Sequence, residues 1–410
     1  MNNMPNKQYC DCKYLSDRVL AGAPAPVSIC GYTPLAILRC VLLALLLPFF
    51  LLCIVRGVGA DLIGGEKDRD MAQMRQVVMG ASVTSPSWSG PHTGPVGLTG
   101  KTVAVVAEDL RNGGVLGVAQ GIGEAADLLR WKTRIFDAGG KKATRNKALA
   151  DALAMDSDGL ILVGTDAKEL SARLKPFIQR NIPIVGWHVG PVAGSLKEGP
   201  IAVNISTDPL AVARVTAMAA IADSDRRAGV VIFTDSTFGV AMAKAEAMAA
   251  MIRCCSGCDL LEIRDVPMSK IRERMPGVTC ELLDRFGRRW THALAVNDIY
   301  FDYAVPELIK AGRRSDSLKL LSAGDGSAAA FLRIQAGFFQ TATVAEPLNL
   351  HGWQLVDALN RLLSRLKPDG YVVPVHLVTS KNIDFDGGLG LRFDPDNGYR
   401  DRYLRIWGVR

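Results

Sequence analysis

From Lys101 to about Ser380, short runs of apolar and β-branched residues alternate with longer stretches at helical spacing. No other feature constrains the fold as strongly. A first strand series is expected at Thr102–Ala107, Lys132–Phe136, Gly159–Val163, Ile182–Trp187 and Ile201–Ile205. A second is expected at Gly229–Phe233, Leu260–Arg264, Ala293–Val296, Leu318–Ala323, Gln340–Ala345 and Tyr371–Thr379. Helices are expected between them, at Val115–Leu129, Lys142–Met155, Lys168–Gln179, Leu210–Ile221, Val240–Arg253, Phe301–Ala311 and Leu350–Leu366. In the first of these, Val115, Val118, Ala119, Ile122, Ala126 and Leu129 share one face, as packing on a sheet requires. Strand–helix alternation makes parallel sheets with right-handed crossovers. Roughly ten strands exceed what one compact domain usually holds, so the expected fold is α/β, with two doubly wound parallel-sheet lobes.

Ahead of this rhythm, Val41 to Val55 is an apolar run broken only by Pro48. Basic residues precede it and small residues follow at Val58-Gly59-Ala60. The run is short for crossing a bilayer and suits the hydrophobic part of an export signal. Extended back to Leu35 it reads as an anchor helix, with Arg39 near the cytoplasmic end. Three readings stand: residues 1–60 are a cleaved signal, residues 35–55 stay as a membrane anchor, or the run belongs to a core. The first two export everything that follows. Residues 61–100 are rich in Gly, Ser, Pro and Thr and read as a lead-in linker, with one short helix around Met71–Met79.

The formal net charge of +7 is scattered, with no basic stripe interleaved with aromatics, which argues against nucleic acid as a partner. Five of the nine cysteines (Cys10, Cys12, Cys30, Cys40, Cys53) fall in or before the apolar run. Outside the cytoplasm, Cys254-Cys255-Ser-Gly-Cys258 reads as a local disulfide closing the turn between a helix and the next strand. Free buried thiols, or a metal or redox centre, are the other readings. The latter lacks a nearby His.

Open parallel sheets bind ligands beyond the carboxyl ends of their strands. The residues standing there are Glu108, Asp109 and Asn112, then Trp187-His188, Asp235-Ser236, Asn297-Asp298, Asp325-Gly-Ser327 and Glu346. Carboxylates and amides beside an aromatic face suit a hydroxyl-bearing ligand. Helix capping also favours Asp, Asn and Ser, and is the plainer reading of Asp298, Ser236 and Ser327. Trp187 reads either as a ligand platform or as a buried structural ring. Among enzyme readings, Asn112-Gly113-Gly114 followed by Gly121 and Gly123 imitates the dinucleotide fingerprint of an NAD-dependent oxidoreductase. Gly121 and Gly123, however, lie well inside an expected helix. No G-x-S-x-G elbow is present, and the five histidines follow no metalloprotease spacing. No catalytic residue, metal site or cofactor is assigned.

From about Lys101 to Thr379 the order of motifs resembles the periplasmic sugar-binding proteins of the ribose-binding type, which are type I periplasmic binding proteins and ABC-transporter solute receptors. KTVAVVAEDLRNGG is similar to their first strand and ligand loop, NIPIVGWH to a strand whose end contacts the sugar, and VNISTDPLAVA to the first hinge. ALAVNDIYFD, LLSAGDGS and TATVAEPLNLHGW are similar to later ligand-bearing strand ends. The resemblance implies a periplasmic receptor that closes on a sugar, polyol or similar small polar molecule and delivers it to an ABC permease. It places Asn112, His188, Lys244, Asn297, Asp325 and Glu346 at ligand positions, with Lys244 where the family often has Arg. The residues themselves add Asp109, Asp235 and Trp187, and the comparison with the family adds Phe238 as an alternative to Trp187 for the stacking platform. Two departures stand out. Gly113-Gly114-Val115 replace the aromatics of the family's first loop, and His188-Val189 replace an Asp-Arg pair. The implied lobes are 101–207 with 347–377, and 208–346 with 378–395, joined by a three-crossing hinge; residues 396–410 form an extension without an assigned role. If residues 35–55 are retained, the same clamp reads instead as a membrane-tethered sensor for a kinase or chemoreceptor.

Overall fold

The structure is a computed structural model that describes residues 69–83, 87–387 and 390–409. The signal and anchor readings of residues 1–60, together with their five cysteines, lie outside the described residues. Among the described residues no helix is long and apolar enough to cross a membrane. The helix expected around Met71–Met79 runs over 69–81.

Strands β1 (Thr102–Ala107), β2 (Lys132–Asp137), β3 (Gly159–Val163), β4 (Ile184–Trp187), β5 (Gly194–Ser195) and β6 (Ile201–Ile205) make one sheet, in the order β2-β1-β3-β4-β6-β5. Strands β7 (Gly229–Thr234), β8 (Asp259–Asp265), β9 (His292–Ala295), β10 (Lys319–Ser322), β11 (Gln340–Val344) and β12 (Leu377–Thr379) make the other, in the order β12-β11-β10-β9-β7-β8. All neighbours pair in parallel except at one edge of each sheet, where β5 and β12 run antiparallel to β6 and β11.

In lobe one, helices α1 (Gly113–Leu128), α2 (Lys142–Ala154) and α3 (Ala167–Gln179) connect the early strands. Lobe two carries α4 (Pro209–Asp223), α5 (Gly239–Cys254), α6 (Ile271–Phe286), α7 (Ile299–Lys310) and α8 (Ala328–Gln335). After β11 come α9 (Leu348–Leu363), then β12, α10 (Ile383–Asp386) and α11 (Tyr399–Trp407).

The strand β1 shows why its sequence is apolar at nearly every position. Val103, Val105 and Ala107 face a core shared with α1 and α9, whereas Ala104 and Val106 face a second core with α2 and α3. A strand covered on both faces reads as a continuous apolar run. Gly121, which imitated a phosphate loop in the sequence, lies inside α1 against α9. A Cβ on Gly352 of α9 would collide with the backbone of Gly121 and Ile122, so the glycines let the two helices cross closely.

Residues 399–407, part of the stretch given no role from the sequence, complete the core of lobe one. Tyr399, Tyr403, Ile406 and Trp407 join the cluster that holds Val103, Val118 and Trp353. Trp407 stacks on Trp353 with ring centroids 5.4 Å apart, and its Nε1 donates to Asp357 Oδ1 at 2.8 Å.

Candidate functional site

Because the strands are parallel, both sheets aim their carboxyl ends at one gap. That gap is a cleft with a volume of about 280 Å³. Lobe one lines it with Asp109, Asn112, Trp187 and His188; lobe two lines it with Asp235, Phe238, Lys244, Asn297 and Asp325. Nine of the ten residues singled out in the sequence therefore share one cavity. The tenth, Glu346, lies beneath it, behind His188.

The floor is a buried charge network drawn from both lobes. His188 adopts a positive φ of 51°, which folds its ring back onto Trp187 at 3.8 Å between centroids and 9° between planes. Its Nε2 faces both Glu346 carboxylate oxygens, at 2.9 and 3.0 Å. Lys244 Nζ donates to the Ala323 carbonyl at 2.7 Å and stands 4.0 Å from a carboxylate oxygen of both Asp325 and Glu346. Asn297 Nδ2 donates to Asp325 Oδ2 at 2.7 Å. Burial pushes the Asp325 carboxyl up to about 6, against the pull of Lys244 and His188. Burial also acts to raise Glu346, but His188 and Lys244 outweigh it and hold that carboxyl at about 2. His351, fully buried, is pushed down to about 4 by burial and stays neutral, and its Nδ1 accepts the Trp187 Nε1–H at 3.1 Å. Trp187 is the buried structural ring of its second reading: it is 1% exposed, anchored in the core, and it backs the imidazole that faces the cleft.

Other anticipated residues have commitments of their own. Asn112 caps α1, its Oδ1 accepting from Gly114 N at 2.9 Å. Asp109 is paired with exposed Arg111. The Asp235 carboxylate accepts from Thr237 N and Oγ1, at 2.9 and 2.6 Å, and from Met268 N at 2.7 Å, so it shapes the loop that presents Phe238. Of the three expected caps only Ser327 caps, accepting from Ala330 N at 3.2 Å. Ser236 instead donates twice to Asp265. Asp298 accepts from Gly326 N, Ser327 N and Gln340 Nε2, and so ties down the loop carrying Asp325.

Sequence reasoning missed an ion pair on the cleft wall. Arg145 grips Glu108 through two bonds of 2.6 Å and reaches Glu169 at 2.9 Å. Burial raises the Glu108 carboxyl while the guanidinium opposes the shift. A signal was available, because Arg145 shares its helix face with buried Ala148, Leu149 and Ala152, where a cation needs a partner.

His188, Asp325 and Glu346 each place one candidate metal-ligand atom within 4.8 Å of the others. The Lys244 ammonium already brings a positive charge to both carboxylates there. Away from the cleft, Cys255 is bonded to Cys258 with Cα atoms 5.3 Å apart, in the turn between α5 and β8.

The departure at Gly113-Gly114 has a steric cause. A Cβ at Gly113 would lie 2.9 Å from the Ser327 Cβ, and one at Gly114 would collide with Asp325 Oδ2. The first turn of α1 thus lets a carboxylate of the opposite lobe approach its backbone.

Two parallel-sheet lobes that turn polar side chains toward a shared cleft define a two-lobed binding protein. The periplasmic binding protein domain matches residues 103–367, and the chain belongs to that family. No curated protein matches it. Solved structures share the fold. An ABC-transporter solute-binding protein from Agrobacterium vitis with bound allitol is 19% identical over 70% of this chain and 98% of its own, with a TM-score of 0.62. A second, from the same organism and bound to α-D-tagatopyranose, is 13% identical over 72% and 99%, with a TM-score of 0.63. The 5-methylthioribose transporter solute-binding protein of Thermotoga lettingae, in complex with 5-methylthioribose, is 17% identical over 77% and 95%, with a TM-score of 0.62.

Proposed function

We propose that this chain is an exported receptor that captures a sugar, polyol or similar small polar molecule by closing its lobes, and delivers it to an ABC importer. The observation that carries this reading is the convergence of His188 and Asn112 from one lobe with Asn297 and Asp325 from the other on one cleft. A ligand bridging them stabilises the closed form by its differential affinity for that form. Its volume of about 280 Å³ is at the small end for ligand pockets, which fits a monosaccharide-sized guest. Phe238, and the His188 imidazole backed by Trp187, offer flat faces in place of an aromatic sandwich. The ligands of the structural neighbours, allitol, tagatopyranose and 5-methylthioribose, belong to the same class. Binding without bond-making is all the site is asked to do. The periplasm, reached through an N-terminal export segment, is the proposed location.

The test is a thermal-shift screen with allitol, D-tagatose, 5-methylthioribose and a panel of pentoses and hexoses, followed by calorimetry. A saturable rise in Tm is expected for at least one of them, and Asp325→Ala should abolish it. Normal binding by Asp325→Ala, or no binding across the panel, refutes the reading.

A further inference from the structure

One bond across the lobes lies outside the cleft. Asp166, 9% exposed, is the N-cap of α3 in lobe one, and its Oδ1 accepts from Lys168 N at 2.9 Å. Its Oδ2 accepts from Gly239 N, the first residue of α5 in lobe two, at 2.8 Å. One carboxylate thus serves the amino ends of two helices that belong to different lobes, where the dipoles of both favour a negative charge. The local alternative is missing. Phe238, the N-cap residue of α5, makes no side-chain capping bond, and neighbouring Asp235 is committed to Thr237 and Met268. Asp166 does not line the cleft.

We propose that Asp166 is a positioning residue that completes α5 only when the lobes are closed, and so sets the open–closed balance without touching the ligand. The proposal rests on the clamp reading above. Helix α5 carries Lys244 and follows Phe238, so docking its amino end against α3 places both over the cleft floor. A bond present in only one state shifts the population toward that state, and apparent affinity scales with the closed fraction.

Two substitutions separate the cross-lobe bond from the local cap. In Asp166→Asn, Oδ1 can still accept from Lys168, but the amide NH2 faces the Gly239 N–H and two donors oppose each other. In Asp166→Ser, the hydroxyl caps α3 and is too short to serve α5. The experiment is hydrogen exchange read by mass spectrometry on the full chain without ligand, with small-angle scattering alongside. Both variants should exchange amides 239–242 about tenfold faster than wild type while the first turn of α3 changes by less than about twofold. The radius of gyration should rise. Unchanged exchange at 239–242, or equal loss of protection at both helices, overturns the proposal. Since no ligand is used, failure of the sugar-binding reading leaves this measurement unaffected.

Discussion

Replacing Gly114 by Ala should leave folding intact and impair closing. Gly114 is in the first turn of α1, where Ala is the better helix former by about 0.5–1 kcal/mol. With the lobes as they stand in the structure, the added Cβ meets Asp325 at Oδ2, at Cγ (2.8 Å) and at Cβ (2.9 Å). Rotating the carboxylate does not clear an overlap that reaches its own Cβ, so the lobes must part or the 324–327 loop must shift. Overpacking of this kind costs about 1–3 kcal/mol. Because the contact is between lobes, the cost falls on the closed form alone, and the closed fraction should drop about 5- to 150-fold, with Kd rising by the same factor. The assay is calorimetric titration with the sugar or polyol that raises Tm in the screen, beside the Tm of the ligand-free protein. Wild-type affinity, or a Tm lowered by several degrees, would refute the reasoning.

Three further outcomes are expected. Asp325, its carboxyl raised to about 6, is ionised above that pH and protonated below it. Its buried charge therefore costs stability above pH 6, a cost relieved as pH falls through 6 toward the ordinary carboxyl range. Ligand affinity should weaken over the same interval in wild type and stay flat in Asp325→Asn, as read by titrations from pH 5 to 8. In Glu346→Gln Lys244 loses a buried counter-charge and His188 a carboxylate partner, and a loss of about 3–5 kcal/mol in chemical denaturation is expected; a loss under about 1 kcal/mol would show the network to be dispensable. Trp407→Ala empties the stack on Trp353 and should cost about 3–5 kcal/mol, read as a lower urea midpoint.

The legibility of this chain follows from where its information resides. Strands β1 and β3 could be read at their exact bounds because burial on both faces demands nearly unbroken apolar runs, and β6 could too, although buried Asn204 interrupts it. The run Tyr371–Thr379 was over-read: only Leu377–Thr379 pairs with β11, and Tyr371 instead packs edge-on against Trp88 at 5.3 Å. Helix α6 went unassigned because Pro276 and Gly277 look like a break, although Ile271, Met275, Thr279 and Leu282 form its buried stripe. Strand ends disclosed the polar centre of the cleft, since a parallel strand delivers the residue that follows it to the rim where the two lobes meet. What they could not disclose was division of labour. That Asp235 organises a loop, Glu346 sits behind His188 and Asp298 holds the Asp325 loop depends on partners tens of residues away.

The placement of α11 bears on the order in which the molecule can assemble. The second sheet draws five of its six strands from one uninterrupted stretch, β7 to β11. The first core needs α9 and α11, which emerge from the ribosome only after that stretch has been made. The half synthesised first is thus the half finished last, and the glycine-bearing face of α1 stays uncovered until α9 arrives. A nascent chain built this way carries an exposed apolar surface through most of its synthesis, a natural foothold for a holding chaperone.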